Sequence, residues 1–402
     1  MKKQLLVISL LAMPCVMFGQ KSLVKEAGKL AKSSNFTEAV ATINKALTSD
    51  ETKASAYAWD TAGDIQRAIN EKENEKAYIR KPYDTTALYN SLLQMYNYYL
   101  QCDEFEQIPN KKGKVKFKYR KKNAEVLAIE RNNLINGGVN FQNDTKKAFE
   151  FFAMYIDIAS APMMKDKNLS VTDTISTEIA YYAAMMASRN KDLDNVIKYA
   201  KYAAIDKKNG ATAFQFMCEA YKAKKDTASW VLNLKEGIKN YPTQNSYFFA
   251  NLVDYYTNTG KLAEAMDFAD NMLAKDPSNA FNVYVKAFLF MNMKDFDNAI
   301  KFYQKALELN PEYAEAYINL GWIYCQKALN YSNENATSDI NDPKFAADKK
   351  VVQGFYKEAL PYYEKVKTLK PDNKELWLNA LYTIYYNLNM GDKLKEIEAL
   401  MN

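Results

Sequence analysis

Eight of the twelve residues from 111 to 122 are basic: Lys111, Lys112, Lys114, Lys116, Lys118, Arg120, Lys121 and Lys122. The chemistry such a patch offers is contact with an anion, whether an acidic protein surface, a lipid headgroup or an anionic glycan. The competing reading is a charged loop that faces water. Catalytic groupings are harder to find. The chain contains no histidine, which removes the commonest general base and metal ligand and makes Ser/His/Asp and Cys/His arrangements impossible. Asp339, Asn341 and Asp342 are clustered, but the glycine and terminal glutamate of a calcium loop are missing at the required spacing. Cys102, Cys218 and Cys325 stand far apart with no Cys-x-x-Cys, which argues against zinc and against a disulfide framework and fits small buried residues on helices. No Gly-rich phosphate loop or nucleophile elbow occurs. We expect a chain that is not an enzyme and needs no cofactor or metal.

The elements that carry these residues are helices. Only 12 Gly and 10 Pro punctuate 402 residues, too few for the turns of a strand-rich fold. The formal charge of +6 is mild for this length and does not point to nucleic acid. The chain opens MKKQLLVISLLAMPCVMFGQ: two lysines, an apolar run from Leu5 to Phe18, then a polar switch at Gln20. That layout predicts a signal peptide over 1–19, with cleavage near Gly19, and export to the periplasm or cell envelope of a Gram-negative bacterium. Pro14 is the wrong neighbour for a lipid anchor on Cys15. No later stretch has the apolar length of a membrane span.

Self-similarity decides the architecture. Laying 295–313 under 260–279 puts Pro277 and Pro311 34 positions apart, and Ala265 and Ala299 likewise. Ala299, Tyr303 and Ala306 share one helical stripe before Pro311 ends the helix. Tyr317, Leu320, Gly321 and Tyr324 follow on the next helix, a bulky, an aliphatic and a tiny residue sharing one face. This run resembles the tetratricopeptide repeat, whose pattern is aromatic-x2-Leu-Gly-x2-Tyr, then Ala-x3-aromatic, then Pro. Further copies fall at about 177–210, 211–245, 246–279 and 280–313, and Ala359, Tyr363, Val366 and Pro371 repeat the spacing after an insertion. Weaker copies surround Ala39 to Gly63 and 134–156. The resemblance implies an all-α fold, a right-handed α-solenoid of eight or nine stacked helix-turn-helix pairs, since one amphipathic pair cannot bury its own apolar face.

The expected organisation is therefore a signal peptide over 1–19, a divergent block over 20–160, a connecting loop at 161–176 and a regular block over 177–402. Two insertions interrupt it. In 103–122, Val115, Phe117 and Tyr119 alternate with basic residues, which predicts a small strand-like hairpin turning at Asn110 to Gly113. In 330–350, Asn, Asp and Ser resist helix formation until Asp342-Pro343 offers an N-cap and a first-turn proline, and Pro361 predicts that the next motif helix starts only near Gly354 to Tyr356.

The same resemblance implies that the first helix of each pair lines an inner face on which partners lie as extended peptides. Stepping along that face gives Tyr284, Phe288 and Met291, then Ile318, Trp322 and Cys325, then Leu378, Tyr382 and Tyr385, with Asn292 and Gln326 as backbone clamps. Such an aromatic groove suits a peptide or a sugar chain, and the alternative is packing between neighbouring first helices. The expected function is an exported scaffold that holds a protein or peptide partner, with an envelope glycan or surface as the second reading.

Overall fold

A computed structural model describes the backbone of residues 14–109, 112–169 and 173–401, and side chains from residue 21 onward. The signal-peptide expectation falls mainly on 1–13, and with the side chain of Cys15 it lies outside the described residues. The described chain forms α-helices throughout: α1 (Pro14–Lys32), α2 (Phe36–Thr48), α3 (Ala56–Tyr78), α4 (Thr85–Glu106), α5 (Arg120–Asn140), α6 (Thr145–Asp157), α7 (Ser176–Arg189), α8 (Leu193–Ala203), α9 (Gly210–Ala223), α10 (Thr227–Asn240), α11 (Ser246–Asn258), α12 (Leu262–Lys275), α13 (Ala280–Asn292), α14 (Phe296–Leu309), α15 (Ala314–Glu334), α16 (Phe345–Leu369), α17 (Leu378–Asn387) and α18 (Gly391–Met401). In chain order these are nine helix-turn-helix pairs, each odd-numbered helix the first of its pair and each even-numbered helix the second.

One turn recurs inside the pairs. Ser34, Lys191, Lys225, Gly260, Lys294 and Asn389 all adopt positive φ between the first helix and the second. The next residue's amide then reaches back to close the first helix, Asp192 N to Ala187 O, Asp226 N to Tyr221 O and Asp295 N to Phe290 O, the last two bonds at 3.0 and 2.9 Å. These six-to-one closures satisfy carbonyls that a helix end leaves unpaired. The same aspartates cap the second helix: Asp192, Asp226 and Asp295 accept from the amides of Asn195, Ser229 and Asn298 at 3.3, 3.1 and 3.2 Å. The Lys-Asp dipeptide thus ends one helix and starts the next.

The chain divides into two compact units, residues 1–248 and 249–402. The expected boundary at 161–176 lies inside the first unit. That segment contains a 3-10 helix at Pro162–Lys167 with Met163 and Met164 buried, and this helix packs on α5. It is held by Arg131 of α5, whose guanidinium bonds the Tyr155 carbonyl at 3.0 and 3.1 Å and pairs with Asp173 at 2.6 Å. Both side chains are buried, and the Tyr155 hydroxyl donates to Asp173 at 3.1 Å. Two methionines and an ion pair make this a packed crossover.

Two further expectations fail. No strand forms at 114–117, which has no regular secondary structure and no pairing partner among the described residues. The Asn/Asp-rich insertion is also shorter than expected: α15 continues to Glu334, and α16 begins at Phe345, close to the expected start at Asp342-Pro343, but runs unbroken through Pro361 with no new start near Gly354. Proline removes one helix hydrogen bond at a cost of about 3 kcal/mol. Burial of Tyr356, Ala359, Tyr363 and Val366 on one face of α16 outweighs that cost.

Arg131→Ala should lower the unfolding free energy of the first unit by about 3–5 kcal/mol, because Asp173 would be left as a buried, unpaired carboxylate. Adding Asp173→Asn should return part of the loss, and chemical denaturation of the three proteins reads both effects.

Candidate functional site

The first-helix residues of the second unit separate into those that packing consumes and those left open. Tyr284 on α13 is buried. Asn319 of α15 donates to the Tyr284 hydroxyl at 3.1 Å and to the Tyr303 hydroxyl at 3.0 Å, and the Tyr313 ring stacks on Tyr284 at 4.8 Å. Burial pushes the Tyr284 phenol up to about 12. The residue therefore joins α13, α14 and α15. Tyr385 on α17 is likewise buried, and its hydroxyl donates to Glu364, which also pairs with Lys393.

Phe288, Asn292, Ile318, Gln326 and Tyr382 are half-buried. Phe288 meets Phe249 edge-on at 5.5 Å, while the Asn292 amide donates to the Phe288 carbonyl of its own helix at 2.8 Å. Ile318 and Tyr382 pack against the C-terminal core of Trp377, Leu381 and Ile384. Trp322 is the most open of the set, 40 % exposed, and touches the Phe296 ring edge-on at 6.2 Å. Tyr284 and Phe288 thus share one cluster, Ile318, Tyr382 and Tyr385 border another, and Trp322 keeps a free aromatic face.

The basic segment is folded back onto its own block. Glu106, at the end of α4 and 5 % exposed, accepts the backbone amides of Lys118, Tyr119 and Arg120 at 2.5, 2.9 and 3.0 Å. A carboxylate here meets the positive end of α5 as well as three amides that the helix start leaves unpaired. Arg120 grips Asp103 through two nitrogens at 2.5 and 2.9 Å and lies 3.4 Å over the Phe117 ring. Lys122 pairs with Asp60 and Asp64, each at 3.0 Å. Burial, then the charge of Asp64, raises the Asp60 carboxyl above its ordinary value, with Lys122 opposing. Lys118 donates to the Tyr119 hydroxyl at 3.0 Å. Lys112, Lys114, Lys116 and Lys121 are exposed, and Lys111 lies outside the described residues. Two of the patch's eight charges, those of Arg120 and Lys122, are thus paired with carboxylates of α3 and α4.

Sequence reasoning missed a third feature, a cleft of about 450 Å³ lined by Leu93 and Leu100 of α4, Phe149 and Met154 of α6 and Tyr199 of α8, among others. These are second helices of three successive pairs, the opposite helix of each pair from the one the repeat pattern nominated. Helical periodicity shows which residues share a stripe, but these three helices sit far apart in the sequence. The thiols lie elsewhere: Cys102 and Cys218 are buried and Cys325 is half-buried, all unpaired. Burial pushes Cys218 up to about 12 and Cys325 up to about 11, away from reactivity. Among the described residues no group of three His, Cys, Asp or Glu could hold a metal ion, and no helix is long and apolar enough to cross a membrane.

Comparison with known proteins bears on the helix pairs. Two profiles described as tetratricopeptide repeat match residues 284–313 and 302–336, spanning α13 to α15. Residues 284–336 carry tetratricopeptide repeats. Serine/threonine-protein phosphatase 5 of Rattus norvegicus and of Homo sapiens are each 34 % identical over 115 residues, 25 % of this chain and 21 % of theirs. The chain thus spans only about a fifth of the length of those relatives. Among solved structures, a TPR repeats protein from Bacteroides fragilis is 18 % identical with a TM-score of 0.31, covering 67 % of this chain and 98 % of its own. MamA from Desulfovibrio magneticus is 17 % identical with a TM-score of 0.28, covering 49 % and 96 %.

Glu106→Ala should leave three amides at the start of α5 without an acceptor and cost about 1–3 kcal/mol. Hydrogen exchange at residues 118–120 should accelerate, while exchange in the second unit stays as it was.

Proposed function

We propose that this repeat protein is a non-catalytic scaffold that holds a protein partner, as an extended segment, against the first helices of its second unit. The observation that carries the reading is Trp322, an aromatic left 40 % exposed on a helix whose other aromatics, Tyr317, Tyr324 and Tyr331, are half-buried. Phe288 of the preceding first helix is half-open on the same predicted stripe, and Gln326 lies one turn beyond Trp322. Large aromatics anchor peptides at small entropic cost, and amides can bond a backbone. Tyr284 and Tyr385 belong to the support beneath this surface. The glycan reading has less support, since two cations of the basic segment, Arg120 and Lys122, are already engaged by carboxylates.

The N-terminal pattern of two lysines, an apolar run and a polar switch supports an exported protein working in the cell envelope. Sequencing of the mature protein's N-terminus should place cleavage near Gly19, and a lipid-modified Cys15 would contradict this.

For the partner, a photo-crosslinking residue placed at 322 or 288 in the native envelope should trap one reproducible protein. Trp322→Ala should weaken retention of that protein about tenfold or more without changing the melting temperature. Retention that survives both Trp322→Ala and Phe288→Ala would exclude this surface.

A further inference from the structure

The cleft among α4, α6 and α8 has an uneven composition. Its walls are apolar, with Leu93 buried and Leu100, Phe149 and Met154 half-buried. Second helices ordinarily turn a polar outer face to water, so three of them converging on a cavity of about 450 Å³ is unexpected from the repeat alone. Methionine and phenylalanine at its mouth can adapt to a side chain of varied shape.

Charge adds direction. Inside the cleft, Asp157 is already satisfied: Lys198 and the Tyr199 hydroxyl both donate to its Oδ2, at 2.8 and 2.7 Å. Glu150 is different. It sits on the same lining, exposed, and has no hydrogen-bond or ion-pair partner among the described residues. The unmatched charge of the cleft is therefore one negative carboxylate beside an apolar hollow. A second recess of about 380 Å³, lined by Ile156, Ala159, Ser160 and Tyr202, shares Asp157, Lys198 and Tyr199 with the first. From Glu150 the groove follows α6 to Asp157 and then the 3-10 turn Ile158–Ser160, about 16 Å at 1.5 and 2.0 Å per residue, the reach of four or five extended residues.

We infer that this groove docks a peptide segment of a protein partner, seating one apolar side chain in the larger recess and setting an adjacent lysine or arginine against Glu150. The length suits a short extended segment, and the free carboxylate selects a cation over an anion. This site uses second helices of the first unit and does not depend on the surface around Trp322.

The test uses the full chain and two sets of fluorescent hexapeptides, each with one leucine, methionine or phenylalanine next to either arginine or glutamate. The arginine set should bind more tightly, and Glu150→Lys, an exposed position where the fold is unaffected, should weaken it about tenfold and reverse the preference. Trp322→Ala should leave this binding unchanged. Equal binding of the two sets, insensitivity to Glu150→Lys, or no binding at millimolar peptide would each overturn the proposal. Self-association abolished by Glu150→Lys would assign the groove to a second copy of this chain and overturn it as well.

Discussion

The fold depends on how closely two helices of a pair can approach. A methyl group added at Gly321 would lie 2.5 Å from the Tyr363 ring, and additions at Gly63 and Gly138 would meet Tyr99 and Phe152 closer still. Each glycine sits on the first helix of its pair and each ring on the second. The ring fills the space where a side chain would otherwise stand, so the helices pack at short range and the aromatic is buried. Where glycine is absent, alanine takes the position: Ala287 and Tyr303 are both fully buried. The irregular N-terminal pairs obey the same rule as the regular ones, although Gly63 and Tyr99 are separated by far more sequence than Ala287 and Tyr303.

Close pairing has consequences for the surfaces. A pair closed in this way still presents an apolar face to its neighbours, and the groups between pairs must be satisfied as the stack grows. Asn319 does this in the second unit by donating to two tyrosine hydroxyls from the preceding pair. In the first unit the task falls to charges: Asp103 with Arg120, and Asp60 with Lys122. Side chains engaged between pairs are unavailable to a partner. What remains for binding is Trp322 with its half-covered neighbours in the second unit and the cleft beside Glu150 in the first.

Much of this was legible in the sequence, for a physical reason. The 34-residue period acts locally, through helix stripes and the prolines that end them, so the helix pairs from 177 to 313 fall where the spacing put them. Tyr284 and Tyr385 were placed on the right helices, but periodicity cannot tell whether the next pair will cover a side chain, and here it does. Pro361 misled because its local cost is plain, while the burial of Tyr363 and Val366 that offsets it is a tertiary effect. The alternation at Val115 and Phe117 suggested a strand, but a strand needs a partner, and Glu106 fixes this segment to a helix start instead. The cleft was invisible because it joins three helices that no local pattern connects.

The most direct measurement is a double-mutant cycle at Gly63 and Tyr99, read by chemical denaturation of the original chain, Gly63→Ala, Tyr99→Leu and the combined variant. The account predicts that Gly63→Ala alone costs about 1–3 kcal/mol through overpacking. It also predicts that the same change costs at least about 1 kcal/mol less when leucine replaces the ring, a coupling typical of residues in direct contact. Effects that add to within about 0.5 kcal/mol would contradict it, because the glycine would then not be the space that the tyrosine occupies, and the N-terminal block would not be built as the repeats are.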